Sequence, residues 1–103
     1  MTKYTVCTEY FQFDPSKKGQ KTPEEAYFTF EDHNDKIVAM CDTLEEARSI
    51  LATIKVSSHR FNHSHAEATV AYIFEGEYEY EDGEWIFLGG GNIYDFKFED
   101  IKG

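Results

Sequence analysis

The fold is decided by a stretch in which acids alternate with aromatic residues, Phe74-Glu75-Gly76-Glu77-Tyr78-Glu79-Tyr80-Glu81. Successive side chains of an extended strand point to opposite faces, so this period predicts a strand with four carboxylates on one face. Neighbouring carboxylates would stand roughly 6.5 to 7 Å apart, which is twice the rise per strand residue. Like charges in a row repel each other. We therefore expect the acidic face to lie in water and the aromatic face to be buried.

Outside this stretch the chain is rich in short apolar runs. Aromatic and β-branched residues concentrate in six segments that we predict to be strands: 4–13, 26–31, 36–41, 68–80, 84–88 and 93–98. The unbroken apolar run 37–40 favours a central position in the sheet. Thr43 followed by Glu46 forms a capping box, and apolar residues recur after it at helical spacing. This pattern predicts a helix over about 43–56.

Together these elements predict an α+β fold. We expect an antiparallel sheet of five or six strands, with one α-helix (about 43–56) packed on one face, in the order ββ(β)αβββ. A chain of 103 residues forms one compact domain, 1–103. Pro, Gly and Ser predict a mobile loop at 14–24, and a polar, histidine-bearing loop is predicted at 57–67.

The hairpin after the glutamate row has two alternative registers. A two-residue loop at the Asp-Gly pair would mix apolar and acidic side chains on one face and set two glutamates opposite each other. A three-residue loop, 81–83, pairs Tyr78 with Ile86 and moves Trp85 and Phe87 to the glutamate face. One-sided burial favours the three-residue loop. That register predicts an acidic rim around an aromatic centre.

Charge is distributed unevenly along the chain. Of the net charge of −10, residues 66–103 carry −8, because they hold ten acids and only two lysines. Such a field repels nucleic acids and anionic membranes and attracts basic surfaces. An excess of acids also simply keeps small proteins soluble, and charge alone leaves that alternative open.

The acidic hairpin leads to a functional hypothesis. We expect a non-catalytic acidic binding or inhibitor protein, whose carboxylate row engages the basic surface of a nucleic-acid-processing enzyme by copying phosphate charge, as phage-encoded and immunity-type inhibitors do. The partner is then a basic protein surface, without direct contact to nucleic acid. The predicted partner-binding residues are Glu75, Glu77, Glu79, Glu81, Asp82, Glu84, Trp85 and Phe87. The alternative is a small structural or assembly domain, monomeric or homodimeric through a strand edge or the two aromatic side chains.

Histidines in the polar loop form a second candidate site. His59, His63 and His65 are spaced so that pairs of them share a helical or a strand face, with Glu67 nearby. The pattern matches no zinc signature, so we predict no metal and no cofactor. A histidine-based metal-binding sensor remains the second alternative function.

No pattern typical of an enzyme is found. Cys7 and Cys41 lie among apolar residues, which predicts buried thiols rather than nucleophiles or a disulfide. Gly89-Gly90-Gly91 is followed by neither a helix start nor a Lys-Ser/Thr pair, so it predicts a turn rather than a phosphate-binding loop. The chain shows no secretory leader and no apolar run long enough to cross a membrane, and we expect a cytoplasmic protein.

Overall fold

The computed structural model describes residues 1–101 and shows one antiparallel sheet of six strands with two short helices. The elements are β1 (Thr2–Phe13), α1 (Pro23–Thr29), β2 (Lys36–Cys41), α2 (Leu44–Leu51), β3 (Ser57–Asn62), β4 (His65–Glu81), β5 (Glu84–Gly89) and β6 (Ile93–Lys97). The α+β class and the antiparallel sheet are thus confirmed. The order of elements is matched only roughly, because a second helix lies between the first two strands.

The long strand β4, of 17 residues, organises the sheet. Along one edge it pairs with β1 without interruption, from Ala66 opposite Phe13 to Glu77 opposite Thr2. Along its other edge it pairs with three short strands placed end to end, β3, then β6, then β5. The strand β2 adds to the free edge of β1. The C-terminal end of β4 therefore extends past its pairing with β1 and forms a hairpin with β5.

The predicted strand 26–31 is wrong, because residues 23–29 form α1. Thr22 is the N-cap and accepts a hydrogen bond from the Glu25 backbone N–H, and Pro23 occupies the first turn. Pro suits that position because its missing N–H would have no helical partner. The buried residues Pro23, Ala26 and Tyr27 follow the helical spacing. Phe28 and Phe30 are two residues apart, which is the spacing typical of a strand, and this spacing led to the wrong prediction.

Two further expectations about strands are wrong. The predicted loop 57–67 contains β3 and the start of β4, joined at His63 and Ser64 with Asn62 pairing opposite His65. The strand β2 lies at the edge of the sheet rather than at its centre, and Ile37 is 60% exposed. The longer strands β1 and β4 take the central positions because they can pair over twelve residue positions.

Both faces of the sheet are covered, so there are two cores where we expected one. On one face α1 packs with Phe11, Phe13 and Tyr72. On the other face α2 packs with Val6 and Ile73. Burial on both faces explains why residues 70–73 of β4 are all inaccessible to solvent.

The helix α2 begins where the capping box predicts. Thr43 accepts a hydrogen bond from the Glu46 backbone N–H at 3.2 Å. The helix ends at Leu51, earlier than expected. At this end the Lys97 ammonium on β6 donates to the backbone carbonyls of Leu51 and Ile54. A cation at a helix C-terminus satisfies free carbonyls and opposes the dipole. One of the two cations of the C-terminal third is thereby committed to an internal contact.

Candidate functional site

Residues 78–88 form a two-stranded hairpin that extends past the rest of the sheet, and we call it the arm. It consists of the end of β4, a two-residue turn and most of β5. The regular pairing of β1 with β4 ends at Glu77. The Tyr78 backbone N–H still donates to the Met1 carbonyl at 2.7 Å, and the Tyr78 carbonyl accepts from the terminal ammonium at 2.8 Å. Among residues 1–101, no third strand pairs with the rest of the arm, 79–88. The molecule is correspondingly elongated, with extents of 48 × 26 × 19 Å. Tyr78 at the base of the arm is buried, whereas farther along both faces of the hairpin are accessible to solvent or to a partner.

The register of the arm is the one we did not favour. Tyr78 pairs with Phe87, Tyr80 with Trp85, and Glu81 with Glu84, across a two-residue loop. Asp82 and Gly83 have φ angles of 50° and 83°. Positive φ at both loop positions is the geometry of a type I′ turn, which matches the twist of the flanking strands and suits Asp-Gly. The turn chemistry therefore outweighs the repulsion between two exposed glutamates at the tip.

This register gives each face of the arm a distinct chemistry. One face carries aromatic cross-strand pairs, with ring centroids of Tyr78 and Phe87 5.4 Å apart and those of Tyr80 and Trp85 5.1 Å apart. The other face carries the glutamates together with Ile86 and Leu88. The arm exposes five large apolar or aromatic side chains: Tyr80, Trp85, Ile86, Phe87 and Leu88. Trp85 and Phe87 thus remain accessible, although on the face opposite to the one predicted.

The base of the arm is held by close packing. At Gly76 a Cβ atom would stand 2.9 Å from the Phe87 ring and 3.0 Å from the Phe74 ring, so the missing side chain lets these rings meet over the strand. The Lys3 ammonium lies 4.4 Å from the centroid of the Trp85 ring and also pairs with Asp42. A cation over an indole ring is attracted by the ring quadrupole. These contacts fix the direction in which the arm leaves the sheet.

Strand β4 is extended through residues 75–81, as the alternation predicts, but its four glutamates differ in their surroundings. Glu75 accepts hydrogen bonds from the Asn92 amide at 3.1 Å and the Tyr94 hydroxyl at 3.4 Å. Glu77 accepts a hydrogen bond from the Thr2 hydroxyl, which lowers the pKa of its carboxyl, and the terminal ammonium of Met1 lies 3.5 Å away. These two carboxylates serve internal contacts.

The remaining carboxylates of the predicted surface are directed to solvent. Within the described residues 1–101, the side chains of Glu79, Glu81, Asp82 and Glu84 have no hydrogen-bond or ion-pair partner, and all four residues are exposed. The arm contains no lysine or arginine. The structure thus separates the six acids of the predicted partner-binding set into two engaged glutamates near the base of the arm and four acids toward its tip without a partner among residues 1–101.

The three candidate histidines lie on or next to the β3–β4 hairpin. The His59 ring packs edge-on against Phe61, and a His65 ring nitrogen lies 3.3 Å from the Gln12 amide oxygen. Among residues 1–101, the group of metal-ligand side chains that meet closely is a different one, Glu9, His33 and Asp35, with ligand atoms within 4.8 Å of one another.

This second group, which we call the Glu9 cluster, lies on the face of the sheet that α1 covers. Glu9 is only 4% exposed, and its carboxylate contacts the His33 ring Nδ1 at 3.1 Å and the Asn34 backbone N–H at 3.0 Å. Burial raises the pKa of Glu9 to about 7; the nearby Asp35 carboxyl adds to the rise and His33 opposes it. The sequence did indicate the burial of Glu9, because Glu9 is two residues from both Cys7 and Phe11 on β1 and therefore lies on the same buried face of the strand.

The two cysteines are buried free thiols, as predicted. Burial raises the pKa of Cys7 and of Cys41. A raised pKa keeps a thiol protonated, whereas a nucleophilic cysteine requires a lowered one.

Comparison of the chain with protein-family models, with curated proteins and with solved structures found no match. Within residues 1–101, neither helix has the length and apolarity needed to cross a lipid bilayer.

Proposed function

We propose that this protein is a non-catalytic binding protein whose arm engages a basic protein surface, of the kind that grips nucleic-acid phosphates. The observation that carries the proposal is the composition of the arm, where exposed aromatic and aliphatic side chains lie among unpaired acids and the arm has no lysine or arginine of its own. Exposed apolar residues with a charged rim are typical of protein-binding surfaces.

The electrostatics of the arm favour a basic partner. Lys97 is committed to the end of α2 and Lys3 to Asp42 and Trp85, so these cations do not compensate the acids at the tip. A field of one sign accelerates encounter with a surface of the opposite sign and weakens with salt. A partner that normally holds phosphates would be occupied by the arm, and the protein would then act as an inhibitor.

The aromatic face supplies the affinity in this proposal. Trp and Tyr side chains dominate the binding energy of many interfaces, whereas rim charges mainly set the association rate. Trp85 and Phe87 are therefore expected to control dissociation, and Glu79 and Glu81 to control association. The two contributions can be measured separately in one kinetic experiment.

The test compares charge reversals of equal size. The immobilised full chain is used to capture basic proteins from the native host, with duplex DNA as competitor, and binding rates are measured for each captured protein. We expect Glu79→Lys with Glu81→Lys to slow association at least tenfold, and the control Glu99→Lys with Asp100→Lys to change it little. The proposal is wrong if both double variants behave alike, or if capture is insensitive to salt and to DNA.

Self-association provides a second check. Sedimentation of the wild type over a range of concentrations distinguishes a free arm from one buried between two copies. A dimer that is abolished by Trp85→Ala would show that the arm is a homodimer interface, and the assembly-domain alternative would replace the proposal.

A further inference from the structure

We propose that Glu9, His33 and Asp35 form a binding site for a single divalent transition-metal ion, with zinc as its representative. This site goes beyond the proposed function of the arm. Three features of the structure support it: the convergence of the ligand atoms, the juxtaposition of two carboxylates, and a buried hydroxyl beside them.

The ligand atoms converge from two segments of the chain. Glu9 projects from β1, while His33 and Asp35 lie in the segment between α1 and β2, and one ligand atom from each lies within 4.8 Å of the others. Zinc binds nitrogen and oxygen ligands at about 2.0 to 2.2 Å, which requires the ligand atoms to stand only about 3.5 Å apart. The Glu9–His33 distance of 3.1 Å already satisfies this. Asp35 is exposed, and its ligand atom lies within 4.8 Å of the other two.

The packing of two carboxylates together calls for a positive charge. Glu9 is buried at the floor, and the Asp35 carboxylate lies beside it. Two carboxylates that share a site repel each other unless a proton or a cation lies between them. A cation bound beside the His33 ring would remove the repulsion between the Glu9 and Asp35 carboxylates.

A buried hydroxyl points to the same place. Tyr72 is 1% exposed, and within residues 1–101 its hydroxyl has no hydrogen-bond partner. Tyr72 pairs with Cys7 on β1, two residues from Glu9 and on the same face of the sheet. Asp35 lies close enough to the hydroxyl to add to the rise that burial causes in the pKa of Tyr72. Buried hydroxyls are normally bonded, so a donor at this point fits a site whose carboxylates are held by a metal and by neighbouring donors.

The ligand types define the class of ion, and the site is open to it. Calcium and magnesium prefer all-oxygen sites, whereas an imidazole nitrogen favours zinc and its first-row neighbours. Glu9 lines a cleft of about 340 Å³ with Asn34 and Lys36. Asp35 lines an adjoining cleft of about 250 Å³ that reaches Phe87 on the arm. An ion can therefore enter from solvent without unfolding the sheet.

The test is a titration of the metal-free full chain with zinc by calorimetry, repeated with Co²⁺, whose visible absorption reports its ligands. We expect one equivalent to bind the wild type. Asp35→Asn, an exposed substitution that leaves the fold intact, and Glu9→Gln should each weaken binding at least tenfold. The matched control replaces His59, His63 and His65 by alanine and should bind like the wild type.

Three results would overturn the proposal. The first is the absence of heat and of a cobalt absorption band when metal is in large excess. The second is unchanged binding by Asp35→Asn, or loss of binding in the control variant, which would place the metal elsewhere. The third is equally tight binding of calcium or magnesium. Partner capture plays no part in these measurements, so the outcome is independent of the function of the arm.

Discussion

The buried carboxyl of Glu9 should make this protein less stable as the pH rises through neutrality. The pKa of Glu9 is raised from 4.5 to about 7 in the folded chain. Below about pH 4.5 both the folded and the unfolded chain hold the proton, and Glu9 adds no pH-dependent cost. Between these pKa values the folded chain binds more protons than the unfolded chain, so the free energy of unfolding falls with rising pH. The loss is complete above about pH 7.

The size of the loss follows from the pKa values. A difference of about 2.5 between folded and unfolded pKa corresponds to about 3 kcal/mol, at about 1.4 kcal/mol for each pKa unit. The neighbouring His33 and Asp35 act on the pKa of Glu9 in opposite directions, and this coupling reduces the effect attributable to burial alone. We therefore expect a loss of roughly 1 to 3 kcal/mol between about pH 5 and pH 8.

Urea unfolding followed by circular dichroism, in the presence of a chelator, measures this loss. Glu9→Gln keeps an oxygen for the Asn34 N–H but cannot ionise, so its stability relative to the wild type should rise across the same pH range. Glu79→Gln, at an exposed strand position, is the control and should show no such trend. A constant difference between the wild type and Glu9→Gln from about pH 5 to pH 8 would refute the assignment of a buried carboxyl with a raised pKa.

Three substitutions test the packing. Gly91→Ala should lower the free energy of unfolding by more than about 3 kcal/mol, because its Cβ would lie 2.0 Å from a backbone carbonyl of β4. Gly90→Ala, with no atom near its Cβ, should lower it by only about 1 kcal/mol through backbone strain. Equal losses for the two variants in urea titrations would contradict this. Ile73→Ala removes a side chain that is 0% exposed and should cost about 2 to 5 kcal/mol, and Ile37→Ala, on the edge strand, should cost less than about 1 kcal/mol by thermal unfolding. Tyr72→Phe should leave the metal-free protein as stable or up to about 1 kcal/mol more stable, because it removes an unpaired buried hydroxyl; a clear loss would show that the hydroxyl is bonded.

Local sequence signals predicted much of the sheet. The period-two pattern of β4, the capping box at Thr43 and the strand β2 all have their predicted locations, because each depends on neighbours within a few residues. The position of β2 in the sheet was not predictable in this way. Its apolar run is compatible with a central strand, but the length of β1 and β4 gives them the centre.

Misread local signals account for the other differences. Thr22 followed by Glu25 is a capping box of the same type as the one at Thr43, and it marks the start of α1. The phenylalanines that follow it are spaced like those of a strand, and that period concealed the helix. At the tip of the arm, burial favoured the register with a three-residue loop, whereas the Asp82–Gly83 pair favoured the register with a two-residue turn. The turn prevailed because the side chains toward the tip of the arm, such as Tyr80 and Ile86, remain exposed, so burial has little influence on the register there.

The two candidate sites differ in how well they could be predicted from the sequence. The acidic tip of the arm could be predicted because its residues lie close together in the sequence. The Glu9 cluster joins a strand to a segment about 25 residues later in the chain, and its contacts form only when α1 packs on the sheet. Sequence spacing carries no information about such a contact.

The central pairing of the sheet also has a kinetic consequence. Thr2 at the start of β1 lies beside Glu77 on β4, 75 residues later in the chain. During synthesis, β1 can begin to pair with β4 only after Ala66 has been made, and Thr2 meets its partner only once Glu77 has been made. Contacts between such distant segments carry a large loop-closure cost, and proteins dominated by them fold in milliseconds to seconds rather than microseconds. Nascent chains that stop before residue 77 should therefore expose an unpaired strand edge and depend on chaperones to remain unaggregated.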